Sequence, residues 1–323
     1  MKAKSNKVEE ILLKLEKKQI TKEKLEKLGL KHFSEKTLER ISNCGNFIQS
    51  VLTEDLSAGK VVKANRCMNR FCPICLATRS RKQGFMLGVI LETLKENYDY
   101  KFLFLTLTVP NVKGDELIKE LKEQYEALKR FIQIKQFKKI SKGYIRKTEI
   151  TYNQERNDFH PHIHMLIAVD DNYFTRENYV KQDEWLEIWK NCKKDDSITQ
   201  VHIKKADEKS YRELAKYEAK DLEYLNYGEE VFDVFYKALA GRKTMTYNGC
   251  FQEHKKLFEK GYFDDYIEKD DNYYKLTSFH SYENQFKKYK YLKTREMTNK
   301  ELEKFNNLKI MDEEILVKDN GRF

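Results

Sequence analysis

Three of the chain's seven histidines fall within five residues, His160-Pro161-His162-Ile163-His164, and the unbroken apolar run Met165-Leu166-Ile167-Ala168-Val169 follows them. That combination permits few local conformations. A short apolar run of this kind reads as a central strand buried on both sides. The period of two along a strand then puts His162 and His164 on one face. Two imidazoles on one face of a stiff strand make half of a metal site. Upstream, Tyr144 to Tyr152 alternates like a second strand, and only the short polar turn Asn153 to Asp158 separates the two. So short a turn means an antiparallel hairpin.

Glu149, on the first strand of that hairpin, is the candidate third ligand. Directly opposed residues in an antiparallel pair share a face, and their position numbers have a constant sum. An odd sum turns Glu149 toward His162 and His164. An even sum turns it away and brings Thr148 or Ile150 in its place. The sequence leaves the parity open, because a bulge in the turn shifts it. Two His and one carboxylate suit Mn²⁺, Fe²⁺ or similar ions, and Mg²⁺ less naturally. His160 shares the face, but Pro161 and the turn are placed to twist it away.

A second cluster is built on cysteine. Cys72-Pro73-Ile74-Cys75 is a CxxC, Cys67 lies just before it and Cys44 further back. No apolar stretch approaches the ~20 residues of a membrane span. Met1-Lys2-Ala3-Lys4-Ser5 leads into no apolar signal region. A cytoplasmic protein with reduced thiols is therefore expected, and clustered cysteines read as metal ligands before disulfides. Thiolates of Cys44, Cys67, Cys72 and Cys75 at this spacing suit a tetrahedral structural Zn²⁺ site. Cys192 and Cys250 lie outside the cluster and read as core residues. Arg66, Arg70, Arg79, Arg81 and Lys82 surround it, as DNA-backbone contacts or as structural residues.

Composition bears on the partner. The formal net charge is +10, charged residues make up 35% and aromatics 13%. Disordered chains are poor in aromatics, so this is a folded, charged protein. Lys and Arg neutralise phosphates and aromatic faces stack on bases, which suits nucleic acid; a Lys-rich solvated surface gives the same balance.

The rest of the chain reads as follows. Residues 1–42 are helical in pattern, with Thr21 and Ser34 as N-caps. Residues 76–97 look helical, and Phe102 to Val109 is a strand ended by Pro110-Asn111. Helices are expected at 115–140, at 173–192 with Trp185 and Trp189 one turn apart, and at 207–226. Ile198 to Ile203 reads as a short strand, and Ala238 to Tyr247 as a turn into a last one. Residues after 260 carry no chemical motif. The expected fold class is α+β: a central, mainly antiparallel sheet with flanking helices, preceded by a helical, zinc-binding N-terminal region. The expected division is 1–97, a catalytic domain at 98–260 and a C-terminal region at 261–323. The last is charged and aromatic, and is a candidate for nucleic-acid recognition or dimerisation.

In the 207–226 helix, Tyr211, Leu214, Ala215, Leu222 and Leu225 share an apolar face at ~100° per residue. Glu213, Tyr217, Lys220 and Tyr224 gather opposite. A tyrosine nucleophile needs its proton removed against a pKa near ~10, and nearby positive charge from Lys220 or a metal favours the phenolate.

Phe104-Leu105-Thr106-Leu107-Thr108, His160-Pro161-His162-Ile163-His164 and Glu213 to Lys220 stand in the order found in plasmid rolling-circle replication initiators of the HUH endonuclease superfamily. The chain resembles that family over about residues 40–255, Cys67 to Cys75 with its trailing Arg and Lys included. The resemblance implies a central antiparallel sheet with flanking helices, and an origin-specific nickase and ligase of single-stranded DNA. It implies that His162 and His164 hold a divalent ion, Mn²⁺ or Mg²⁺, and that Tyr217 attacks the scissile phosphate to form a 5′-phosphotyrosine. Within the group that places a Glu four residues before the Tyr, Glu213 would activate water for terminating hydrolysis and Lys220 would position or balance charge. The implied partners are plasmid origin DNA, single-stranded or in a hairpin at the nick, and a host helicase and polymerase. A conjugative relaxase or a single-strand transposase would share the chemistry. A non-catalytic zinc-stabilised DNA-binding protein is the rival of a different class.

Overall fold

In a computed structural model of the chain, residues 7–175, 178–215, 222–267 and 270–307 are described. The elements run α1 (Lys7–Leu28), α2 (Glu35–Ser42), β1 (Phe47–Leu52), β2 (Gly59–Ala64), α3 (Pro73–Tyr98), β3 (Lys101–Thr108), α4 (Leu117–Phe131), α5 (Lys135–Ile140), β4 (Ser141–Asn153) and β5 (Asp158–Val169). There follow α6 (Gln182–Lys193), β6 (Val201–Lys205), α7 (Glu208–Ala215), α8 (Glu229–Leu239), β7 (Met245–Gly249), α9 (Cys250–Glu259), β8 (Leu276–Glu283), β9 (Lys288–Glu296) and α10 (Asn299–Asn306). The chain divides into two compact units, residues 1–82 with 265–323, and residues 83–264.

The second unit is built on a five-stranded sheet in the order β6-β3-β5-β4-β7, antiparallel throughout. The histidine strand β5 is its middle strand. The period of two gives each face its own core. Leu103, Leu105, Leu107, Ile163, Met165 and Ile167 point one way, into a layer completed by α4, α5 and α6. There Trp185 and Trp189 are fully buried, and the Trp189 indole N–H donates to the Thr108 carbonyl at 2.7 Å. Phe102, Phe104, Ile145, Leu166 and Ala168 point the other way, against α3, α9 and Leu214 of α7. Cys192 and Cys250 are buried, one in each layer.

The first unit carries a four-stranded antiparallel sheet, β2-β1-β8-β9. Segments expected as separate N- and C-terminal regions thus share one sheet, and the division between the units falls inside α3 rather than ahead of β3. The sequence reading missed these four strands. β1 and β2 are short, and the alternation Lys288-Tyr289-Lys290-Tyr291 of β9 is broken by the extra residue Leu292. Lys60 of β2 is buried and paired with Asp270 at 2.8 Å, and the Tyr274 hydroxyl donates to the same carboxylate.

Several local expectations need correction. Helix α1 runs through Thr21, whose hydroxyl donates back to the Lys17 carbonyl instead of capping. Ser34 does cap α2, accepting from the Thr37 N–H. The 115–140 helix breaks after Phe131 with an extended Ile134, which lets Phe131 and Phe137 both enter the core, ring centroids 5.4 Å apart. The 173–192 helix is a 3₁₀ turn at Asp171–Phe174 followed by α6. Of the 207–226 helix, α7 is described to Ala215, and Glu223–Asn226 is a 3₁₀ turn. That change of winding buries Tyr224, expected on the polar face, against Phe232 and Phe235.

Candidate active site

The hairpin register decides the chemistry of the second unit's sheet. A four-residue turn joins Asn153 to its partner Asp158, with the Asn153 side chain accepting from the Arg156 N–H and Asn157 taking a positive φ. From Tyr144 to Asn153 every pair then has the same odd sum: Glu149 lies opposite His162 and Lys147 opposite His164. Glu149 therefore faces the histidine pair.

The side chains converge. The Glu149 Oε2 atom lies 3.2 Å from His164 Nε2 and 3.7 Å from His162 Nε2. All three residues are buried. The other ring nitrogens are engaged on the far side: His164 Nδ1 lies 3.0 Å from the Thr106 hydroxyl and His162 Nδ1 3.3 Å from the His160 carbonyl. Each ring is thus fixed through Nδ1 and turns Nε2 toward the carboxylate, the usual way a second hydrogen bond orients a ligand histidine. Phe104 stacks on His164, centroids 5.2 Å apart. His160 lies beside His162, ring centroids 5.3 Å apart, but outside the converging set.

Lys147, which the sequence reading passed over, is buried with its ammonium 3.9 Å from Glu149 Oε2. Its signal was there to find: at two residues before Glu149 it has to share that face. Burial works against the Glu149 carboxylate, yet hydrogen bonds with His162 and His164 and the charge of Lys147 hold it well below the usual carboxylate range. One ionised oxygen and two nitrogens within 4.8 Å of one another can hold a divalent cation. Donors ~2.1 Å from an ion in cis positions stand ~3 Å apart, close to the two nitrogen–oxygen distances found.

The first unit holds the other cluster. The sulfurs of Cys44, Cys67, Cys72 and Cys75 are buried, with separations of 3.5, 3.6 and 3.6 Å among them. Disulfides are far shorter, whereas the edge of a tetrahedron with ~2.3 Å bonds is ~3.8 Å. These four thiols can hold a metal. Backbone N–H groups of Cys67 and Asn69 point at the Cys44 and Cys67 sulfurs, both at 3.4 Å. Of the neighbouring cations, Arg66, Arg70, Arg79 and Lys82 are half-buried and Arg81 is exposed. Arg70 lies over the Phe71 ring at 5.7 Å.

Three expected residues escape this geometry. Tyr217, Lys220 and the Glu213 side chain lie outside the described residues. The helix leading to them is described: Leu214 of α7 sits in the apolar layer that contains Phe104, and Tyr211 meets Phe102 edge-on at 6.3 Å. That layer covers the sheet face from which Glu149, His162 and His164 project.

The profile of the Rep_1 replication-protein family matches residues 58–301. This chain belongs to that family. Among curated relatives, a "Protein rep" of Staphylococcus aureus is 40% identical over 60% of this chain and 87% of its own length. Its counterparts in Streptococcus pneumoniae and Bacillus amyloliquefaciens are each 33% identical, covering 70% and 73% of this chain and 73% and 77% of their own lengths. No solved structure matches. The family bears out the resemblance to plasmid replication initiators, and the sheet with flanking helices bears out the α+β expectation. No helix among the described residues is long and apolar enough to cross a membrane.

Proposed function

We propose that this replication protein opens and rejoins single-stranded DNA at a plasmid origin through a 5′-phosphotyrosine on Tyr217. The observation that carries this reading is the convergence of Glu149, His162 and His164 on one sheet face, beneath the layer into which Leu214 packs. Leu214 precedes Tyr217 by three residues, which supports a nucleophile delivered to the same face. A divalent ion held there, Mn²⁺ or Mg²⁺, would polarise a non-bridging phosphate oxygen of the scissile bond.

The residues divide the work. Thr106 and the His160 carbonyl would keep both imidazoles aimed at such an ion, beside Glu149. Tyr217 gives up its phenolic proton to solvent and attacks phosphorus; the bond to the 3′-oxygen breaks, and that oxygen takes a proton from solvent as the priming hydroxyl. Lys220 favours the phenolate by its charge. The reverse step rejoins the strand without ATP, since the phosphodiester is conserved. At termination Glu213 takes a proton from water, which opens the regenerated site without trapping the protein on a second tyrosine. The Glu213–Tyr217 spacing favours an initiator over a relaxase or transposase. A host helicase and polymerase would act on the exposed strand and its 3′-hydroxyl, in the bacterial cytoplasm.

In the first unit, four thiolates in tetrahedral separation fit Zn²⁺ as a structural ion. Arg66, Arg70, Arg79, Arg81 and Lys82 would contact the DNA backbone nearby.

Tyr217→Phe should abolish the covalent adduct on a single-stranded origin oligonucleotide with Mn²⁺ present. An adduct that persists would assign the nucleophile elsewhere.

A further inference from the structure

The edge strand β9 carries its cations at Lys288, Lys290, Lys293 and Arg295. In a regular strand the even pair and the odd pair would project from opposite faces. They do not here. The ladder to β8 shifts register after Phe279: Phe279 lies opposite Lys293 and Thr277 opposite Arg295, whereas Ser281 lies opposite Lys290 and Glu283 opposite Lys288. Leu292 is the extra residue. Thr277, Phe279, Ser281 and Glu283 alternate along β8 and share one face, so all four cations of β9 share it too. A bulge that re-aims side chains in this way is a recurrent functional device of edge strands.

The same face continues across the sheet, with Gln49 and Thr277 buried within it and its Val51 end packed under Phe305 of α10. Phe279 is opposite Gln49 of β1, and Gln49 is opposite Lys63 of β2, giving a row Lys63–Gln49–Phe279–Lys293 over all four strands. Lys63 and Lys293 are exposed at its two ends. Phe279 lies 6.1 Å from Phe47 between ring centroids, and carries Lys293 Nζ and Arg295 Cζ, each 5.6 Å from its own centroid. Two carboxylates lie at the margin: Glu283 pairs with Lys290 at 3.2 Å and Glu301 with Arg295 at 2.8 Å. The face still has a cationic excess.

We infer that this face of the first unit is a docking surface for double-stranded DNA, held through its phosphates. Charge complementarity selects a polyanion. Duplex is favoured over a single strand because Phe279 is already covered by Lys293 and Arg295: it serves as a platform that orders their stems, not as an open ring for a base to stack on. Ordered cations on a sheet surface position a duplex by its backbone, with no sequence readout required. The inference concerns a surface other than the Glu149–His162–His164 face, and stands apart from the nicking chemistry.

The test uses the full chain and a fluorescein-labelled linear duplex of mixed sequence, titrated at several KCl concentrations. Each phosphate contact contributes about 0.9 to the slope of log K against log salt. Exchanging Lys288, Lys290 and Lys293 together for Gln should lower that slope by about two to three and weaken binding at least ~10-fold. Lys63→Gln alone, on a different strand, should lower it by about one. The corresponding exchange of the exposed Lys119, Lys122 and Lys129 in the second unit removes the same net charge, and should leave the slope unchanged. Cleavage of a single-stranded oligonucleotide should proceed equally in all variants. An unaltered slope in the β9 variant, or an equal fall in the α4 variant, overturns the inference. Absence of cleavage in every protein, the unsubstituted chain included, would sink the nicking reading and leave this one standing.

Discussion

Glu149 stands directly opposite His162 across the β4–β5 ladder, its Oε2 atom 3.7 Å from His162 Nε2 and 3.2 Å from that of His164. A one-residue slip would turn Thr148 or Ile150 toward the histidines and leave two imidazoles without an anion. The polar turn from Asn153 to Asp158 thereby sets the composition of a site that begins four pairs along the ladder.

Glu149→Gln keeps the shape of the side chain and removes its charge. Mn²⁺ affinity, read by calorimetric titration, should fall by more than ~10-fold, with circular dichroism showing the secondary structure retained. Affinity equal to that of the unsubstituted protein would take Glu149 out of the ligand set.

Thr106→Val removes the hydroxyl 3.0 Å from His164 Nδ1 and preserves the strand's shape. Loss of such an orienting partner costs about 10- to 100-fold in metal affinity or activity. Thr106→Ser should restore most of it. If Val and Ser behave alike in Mn²⁺ titration, the hydroxyl does not orient the ring.

Metal analysis of the purified protein should find about one zinc per chain, as a four-thiolate structural site requires. Cys72→Ser should release it and lower the unfolding temperature of the first unit, since metal binding contributes directly to folding. Cys192→Ser, a core change in the other unit, should retain the zinc. A zinc-free preparation that melts like the loaded one would discount a structural ion.

Asp270 gives the first unit an acid sensitivity. Burial works to raise its carboxyl, but hydrogen bonds from Lys60, Asn272 and Tyr274 outweigh it and bring the pKa from 3.8 down to about 2. A carboxyl lowered on folding contributes its full stabilisation above the ordinary aspartate value, and loses it as pH falls toward its folded one. Stability should therefore drop between about pH 4 and pH 2. Asp270→Asn should flatten that drop and, by leaving Lys60 buried without its anion, cost about 3 kcal/mol at neutral pH. Parallel acid-unfolding curves for the two proteins would exclude this role.

Much of the second unit was legible in the sequence because its signals are local. The histidine strand, its hairpin partner and the strand at Phe102 to Val109 each announce themselves through period and turn chemistry. The parity that turns Glu149 inward was not legible, because it depends on how the turn at Asn157 closes. Thr106 was visible as part of a motif, but its bond to His164 arises between strands far apart in sequence. The first unit's sheet was hidden for a related reason. β1 pairs with β8 from the other end of the chain, and the extra residue Leu292 breaks the alternation of β9, so neither alternation nor proximity points to it.

The order β2-β1-β8-β9 also has a consequence for how the protein is made. During synthesis β1 and β2 emerge early, but the second neighbour of β1 begins at Leu276. The whole of residues 83–264 leaves the ribosome before that partner exists, and domains fold as they emerge. The five-stranded sheet can therefore close while the four-stranded one waits half-built, its β1 edge open. A chain cut short before Leu276 would keep every residue of the histidine site and lose the seam that joins its own beginning to its end.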